Sequence, residues 1–413
     1  MSEGLGGYGR LLADPAARWF STAGLLGRMQ ISMTGLSTVL LISIVTGSFT
    51  RAGLVTAAAT LTGAAITPFW GRSIDRIGQA RVLVLTALLF TLGAGVLIVT
   101  VLERWPLWTT LAAAVLSGTG ISQAGNAVRA RWAHRLSDPA QRDVAFALEA
   151  VVDELIFITG PLLVTFACTT VHPALGLVIA AALTLGGSVW LASQRRTEPP
   201  VHQVGADELR ERLPGRRLAP VVVCCLALGV VFGGMEVAIV AYAGERGILS
   251  GTGLFTMAWA LGSLVAGAVT GGIAWKAPPG RRFRIGTLAL AVSLAPLPFL
   301  SWPGVSPWVM GVVLVLSGFA IAPTLIASVA VVQGGVPASR LTEALGWTQT
   351  GLAAGIAVGG AVVGRTVDVW HAFGAFVALA LAGVVLVAGS LSVPAAGRPS
   401  ADEPAVAPEP EPS

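Results

Sequence analysis

Residues 82–102 read VLVLTALLFTLGAGVLIVTVL, an uncharged run closed by Arg81 on one side and by Glu103-Arg104 on the other. A helix needs about 20 mostly apolar residues to cross roughly 30 Å of hydrocarbon, and this run supplies them. Runs of the same kind recur along the chain between short charged loops, near 19–48, 52–71, 107–128, 144–169 and 173–193. They continue near 219–243, 251–274, 285–301, 307–333, 342–364 and 371–393. Within a bilayer the backbone polar groups must be satisfied inside each segment, so such runs become helices. The predicted fold is therefore an all-α polytopic membrane protein with twelve transmembrane helices.

Composition agrees. Of 413 residues 54% are hydrophobic and 11% charged, against about 25% charged in a soluble domain, and mean hydropathy is +0.78. A water-soluble enzyme is excluded. The net charge of +5 does not point to nucleic acid, because the basic residues are spread through loops instead of gathered on one face. The run that starts near Trp19 continues to Ser48 and reads as the first spanning helix, not as a cleavable signal peptide. Cys168, Cys224 and Cys225 lie inside apolar runs without metal-ligand spacing, and His134, His172, His202 and His371 form no cluster. Neither a metal nor a cofactor is expected. There is no phosphate-cradling G-x-x-x-x-G-K-[ST] loop and no catalytic triad, so neither ATP-driven transport by this chain alone nor an enzyme is expected.

If the amino terminus is cytoplasmic, all Lys and Arg fall on the cytoplasmic side except Arg51, Arg104, Arg246 and Arg365 outside and Arg28 within a span. The positive-inside rule then puts both termini in the cytoplasm and the protein in the plasma membrane. Trp105, Trp108, Trp302, Trp308 and Trp370 fall at the outer ends of spans, where indoles favour the interface.

A repeat runs at an offset of 200. Leu116-Ser117-Gly118 returns as Leu316-Ser317-Gly318, and Gly53-Leu54 with Thr56 returns as Gly253-Leu254 with Thr256. Pro139-Ala140-Gln141-Arg142 returns, with a slip of two, as Pro337-Ala338-Ser339-Arg340. These matches in register predict two pseudo-symmetric six-helix halves, 19–194 and 219–393, with a site near the midplane between them, as in secondary transporters. Around the halves lie an N-terminal segment 1–18, a polar linker 195–218 carrying Asp207, Glu208, Arg210, Glu211 and Arg212, and a Pro-, Ala- and Glu-rich tail 394–413 expected to be disordered.

After the second span the sequence reads Gly71-Arg72-Ser73-Ile74-Asp75-Arg76-Ile77-Gly78-Gln79-Ala80-Arg81, which resembles the G-x-x-x-D-R-x-G-x-x-R signature of the major facilitator superfamily. The resemblance implies a cytoplasmic gate, with Gly71, Asp75, Arg76, Gly78 and Arg81 forming an inter-helix latch. The corresponding stretch of the second half, Gly272 to Arg282, has no acid. Gly160-Pro161 in the fifth span resembles the Gly-Pro of the drug and proton antiporters in this superfamily, and a plain helix kink accounts for the pair equally well.

Charges inside spans cost about 2.5 to 3.5 kcal/mol each at a helix centre, so those present usually face a cavity or a partner. The candidates are Arg28, Glu149, Asp153, Glu154 and Glu236. At 1.5 Å per residue, Arg28 and Asp153 both lie roughly 15 Å deep. Arg28 is expected to pair with Asp153 or Glu154 while a remaining carboxylate carries a coupling proton; a static buried salt bridge is the alternative. Glu149, one turn from Asp153 on the same face, is either part of this set or a solvated or snorkelling carboxylate. Glu236, beside Gly233-Gly234, is read as contacting a proton or a cationic group of the substrate, or else as pairing with Arg246 at the outer interface. Gln30 and Gln349 are weaker cavity candidates.

These residues predict a secondary transporter, a proton-coupled exporter of a small organic compound that works by alternating access, with the lipid bilayer, the substrate and protons as its partners and no need of an oligomer. The alternatives are a sugar or organic-anion transporter that uses Arg28 directly, and a sensor or scaffold of the same fold.

Overall fold

The computed structural model describes residues 9–200, 215–271, 277–336 and 341–393. Among these residues all regular structure is helical. Six crossings form the first half: α1 Pro15–Thr46, α2 Phe49–Ile77, α3 Gln79–Leu102, α4 Leu107–Thr119 with Ala124–Arg135, α5 Pro139–Phe166 with a π turn Ala167–Val171, and α6 Leu175–Ser193. The second half holds α7 Gly215–Glu245, α8 Thr252–Gly271, α9 Pro279–Leu294 with Leu297–Leu300, and α10 Pro307–Gly318 with Ile321–Gly335. Its last two crossings, α11 and α12, lie within Leu341–Leu391. Among the described residues ten stretches are long and apolar enough to span on their own. The crossings number twelve because α11 and α12 run together and turn at Trp370 and His371 (φ 58°), and because each piece of α4 is too short alone.

Helix ends follow local chemistry. Asp14 accepts from Ala16 N at 3.1 Å and Pro15 opens the helix, so α1 starts earlier than the apolar run. Residues 71–77 are helical rather than loop. Gly78, at φ 89°, ends α2 with its N–H on Ile74 O at 2.9 Å, a conformation that favours glycine. α4 continues to Arg135, past the expected boundary at 128, after a break over residues 120–123. The backbone groups freed there find side chains: Ser122 N donates to Gln30 Oε1 (2.8 Å), and Thr119 O accepts from Trp70 Nε1 (2.7 Å). Broken helices survive at membrane depth under that condition.

Both ends of the described chain lie on one face, here the terminal face; the turns after Thr46, Leu102, Glu245 and Trp370 lie on the far face. Trp105, Trp108, Trp302, Trp308 and Trp370 are exposed there.

The sequence repeat marks equivalent helix crossings. Gly118 lies against the α2 backbone at Ala59, and Gly318 against the α8 backbone at Trp259, with no room for a Cβ at either. Ser117 and Ser317 each donate back to their own helix, at 2.8 and 2.9 Å. Gly53 brings α2 against Gly360 of α11, and Gly253 brings α8 against Pro161 and Leu162 of α5. The second pair joins the halves, and exchanging the halves turns one contact into the other. Residues 337–340, the third repeated stretch, lie outside the described residues, as do most of the linker, the tail and residues 1–8.

Candidate functional site

α1, α4 and α5 cross around one buried charge cluster. Arg28 ends the first piece of α1 and is 1% exposed. Its Nε–H donates to Gly24 O at 3.2 Å, one terminal nitrogen donates to Asp153 Oδ1 at 2.8 Å, and the other pairs with Glu149. Glu149, fully buried, also accepts from Ser21 Oγ at 2.7 Å and Trp132 Nε1 at 2.9 Å. The second oxygen of Asp153 takes Arg129 from α4. Glu149 and Asp153 stand one turn apart on α5, so the guanidinium of Arg28 bridges them. Both arginines pass Gly125 of α4, the position of its absent Cβ being 3.5 Å from Arg129 and 3.8 Å from Arg28, ordinary contact distances. Two cations and two acids cancel, and the inner pair has its hydrogen bonds filled, the condition under which a buried ion pair is tolerated.

Arg28 thus pairs with Asp153 and Glu149, and the expected alternative partner Glu154 is elsewhere: half-buried, without a hydrogen bond or ion pair among the described residues. Glu149 is not solvated. Three cluster members, Ser21, Arg129 and Trp132, went unremarked in the sequence. Arg129 and Trp132 lie on the polar second piece of α4, Ala124–Arg135, beyond the break at residues 120–123, where no apolar run points to a crossing.

Glu236 stands apart, on α7 at its crossing with α1, where its carboxylate lies against Gly35. From the rise between Arg28 and Gly35, it lies about 10 Å farther toward the far face. It is half-buried and makes no hydrogen bond or ion pair among the described residues. Arg246, the alternative partner, is bound instead to the carbonyls of Trp302, Pro303 and Val305. Gln30 is engaged at the α4 break, and Gln349 is exposed.

Gly160 packs on Ser32 and Met33 of α1, while Pro161, inside a continuous α5, turns its carbonyl toward Gly253 of α8. The pair therefore sits where α5 touches both α1 and the other half.

The two faces differ. On the far face Asp368, near the end of α11, caps the start of α2: it accepts from Phe49 N and Thr50 N at 2.9 Å each and from Ser48 Oγ at 3.2 Å. Gly364 packs on Phe49 beside it. A carboxylate on a helix N-terminus meets free N–H groups and a favourable dipole. On the terminal face Asp75, Arg76 and Arg81 are exposed and make no ion pair among the described residues, and nothing lies within 4 Å of a Cβ built on Gly71. The halves are clamped at the far face, while the Asp75 stretch makes no ion pair among the described residues. Asp368→Ala is expected to cost the clamp about 1 kcal/mol, roughly a fivefold shift toward separated halves. Spin labels at Thr46 and Val369 read it as a gain in the longer distance; an unchanged distance distribution means that Asp368 does not hold the face shut.

Residues 20–360 match the family model of the Major Facilitator Superfamily. Among solved structures, the chain is similar to the nucleoside transporter NupG, with TM-score 0.71 and 12% identity over 92% of this chain and 98% of that one. A bacterial homologue of the iron transporter ferroportin, in an inward-facing state, gives TM-score 0.70 and 15% identity over 91% and 98%. The human organic anion transporter MFSD10 gives 0.57 and 17% over 91% and 99%. No curated relative matches the sequence. At these identities the likeness is one of fold.

Proposed function

The chain belongs to the major facilitator superfamily and is a multi-pass membrane transporter, and from that premise we propose that it exports a cationic small organic compound in exchange for protons. One observation carries the reading: Glu236, at the crossing of a helix from each half, is an acid without a cation beside it among the described residues. A bare carboxylate at membrane depth is costly, so its favourable states are protonated or paired with a cationic ligand. Exchange between those two states while the halves rock couples the fluxes, because the empty charged carrier is the expensive intermediate.

The basic loops support a cytoplasmic terminal face, and this reading takes the membrane to be the plasma membrane. With the far face clamped and Asp75 in no ion pair among the described residues, the present conformation is then open to the cytoplasm. Substrate displaces the proton of Glu236, the Asp368 clamp parts, the Asp75 latch closes, and the cation leaves to the outside as a proton replaces it. Both halves belong to one chain, so a monomer suffices. The rival reading, an organic anion held by Arg28, is disfavoured because Arg28 is buried and already bound to Gly24, Asp153 and Glu149.

Proteoliposomes with a trapped pH dye test this. Adding an amine or quaternary ammonium panel is expected to move protons with wild type and with Glu154→Gln, and to fall to background with Glu236→Gln. Proton movement that survives Glu236→Gln removes Glu236 from the coupling role, and movement only with anionic compounds favours the rival.

A further inference from the structure

Between the terminal ends of α1 and α6 lies a cavity of about 570 Å³. Its walls are the rings of Trp19 and Trp190, with centroids 5.5 Å apart, and Ser193; its rim is the short 3₁₀ turn Arg195–Thr197. Trp19 is half exposed. The turn is fixed in place. Arg131, fully buried, donates to Thr197 Oγ1 (2.8 Å), Leu191 O (3.0 Å) and Gln194 O (3.2 Å), and Gln194 Nε2 reaches Trp19 O at 3.3 Å. A fixed turn presents its side chains without a large ordering cost on binding.

Arg195 and Arg196 are exposed and make no hydrogen bond or ion pair among the described residues. Nearby acids are otherwise engaged: Asp14 pairs with Arg135 at 2.6 Å, and Glu198 accepts from Ala80 N at 3.0 Å. The cavity thus offers two guanidinium groups that have no ion-pair partner among the described residues, beside an aromatic pair at an end of the helices. Arginines bind phosphate with directed N–H groups, while indole rings favour the boundary between headgroups and acyl chains. Basic pockets between helices on the cytoplasmic side suit anionic lipid.

We propose that this groove binds one anionic phospholipid of the surrounding leaflet, its phosphate on Arg195 and Arg196 and its glycerol region against Trp19 and Trp190. Bound there, the lipid bridges α1 and α6 at the level of the turn that leads into the central linker.

The test is native mass spectrometry of the purified full chain given phosphatidylglycerol or phosphatidylcholine. Wild type is expected to retain one phosphatidylglycerol in preference to phosphatidylcholine. Arg195→Gln with Arg196→Gln lowers that retention by about fivefold for each arginine removed, whereas Arg195→Lys with Arg196→Lys keeps most of it. The charge-matched control, Arg72→Gln with Arg281→Gln on the same face, leaves it unchanged. Equal retention of the two lipids, or equal losses in the control and the double variant, overturns the proposal. So does retention that appears only after Asp207, Glu208 and Glu211 are neutralised, because the groove then belongs to the chain's own linker.

Discussion

Arg28→Met is expected to destabilise the protein by about 3 to 5 kcal/mol, the cost of leaving a buried charge without its counter-ion. The effect should be this large because Glu149 is fully buried and, once Arg28 is gone, keeps only the neutral donors Ser21 and Trp132. Asp153 suffers less, since Arg129 remains on its other oxygen and the side chain is partly exposed. Thermal unfolding in detergent should show a large drop in Tm, and adding Glu149→Gln should recover much of it by removing the orphaned charge. Arg28→Lys should recover little, because an ammonium does not reproduce the fork that spans Gly24 O, Asp153 and Glu149. A wild-type Tm for Arg28→Met would mean that the cluster does not hold α1, α4 and α5 together.

Gly53→Val should drive the two halves apart at the far face. Gly53 meets the Gly360 backbone with no space for a Cβ, and backbone cannot step aside as a side chain can. Overpacking costs about 1 to 3 kcal/mol, and separating α2 from α11 relieves it, so the population shifts by that amount away from the clamped form. Labels at Thr46 and Val369 should report mostly the longer distance, a stronger shift than Asp368→Ala gives. Gly71→Val is the informative contrast. Nothing lies near Gly71 in the clamped form, so the substitution should leave that form intact and hinder closure of the terminal face. If Gly53→Val and Gly71→Val move the distance in the same direction, the two glycines do not mark opposite gates.

Some of this was legible in the chain itself. Gly53 and Gly253, matched by sequence alone, turned out to be equivalent places where a helix of one half touches the other half. The match was visible because duplicated contacts impose the same small residue at the same register. Asp368 left no such trace. It sits in an exposed stretch near a turn, where a carboxylate is unremarkable, and its meaning comes from Ser48, Phe49 and Thr50, about 320 positions away. The end of α4 was misplaced for a related reason. The apolar run stops near 128, but Gln30 and Trp70 from other helices satisfy the broken backbone and let the crossing continue to Arg135.

What the sequence by itself determined is the set of crossings, the two-fold repeat and the order in which charges stand along each crossing. Partition into hydrocarbon is summed locally along the chain, and order along a helix follows from a fixed rise per residue. Only the tertiary structure decided which charges meet: Glu149 and not Glu154 on Arg28, Glu236 against Gly35 with no counter-ion among the described residues, Asp368 on the start of α2. Adjacent positions on a helix point about 100° apart, and no local term says which neighbour either direction will face.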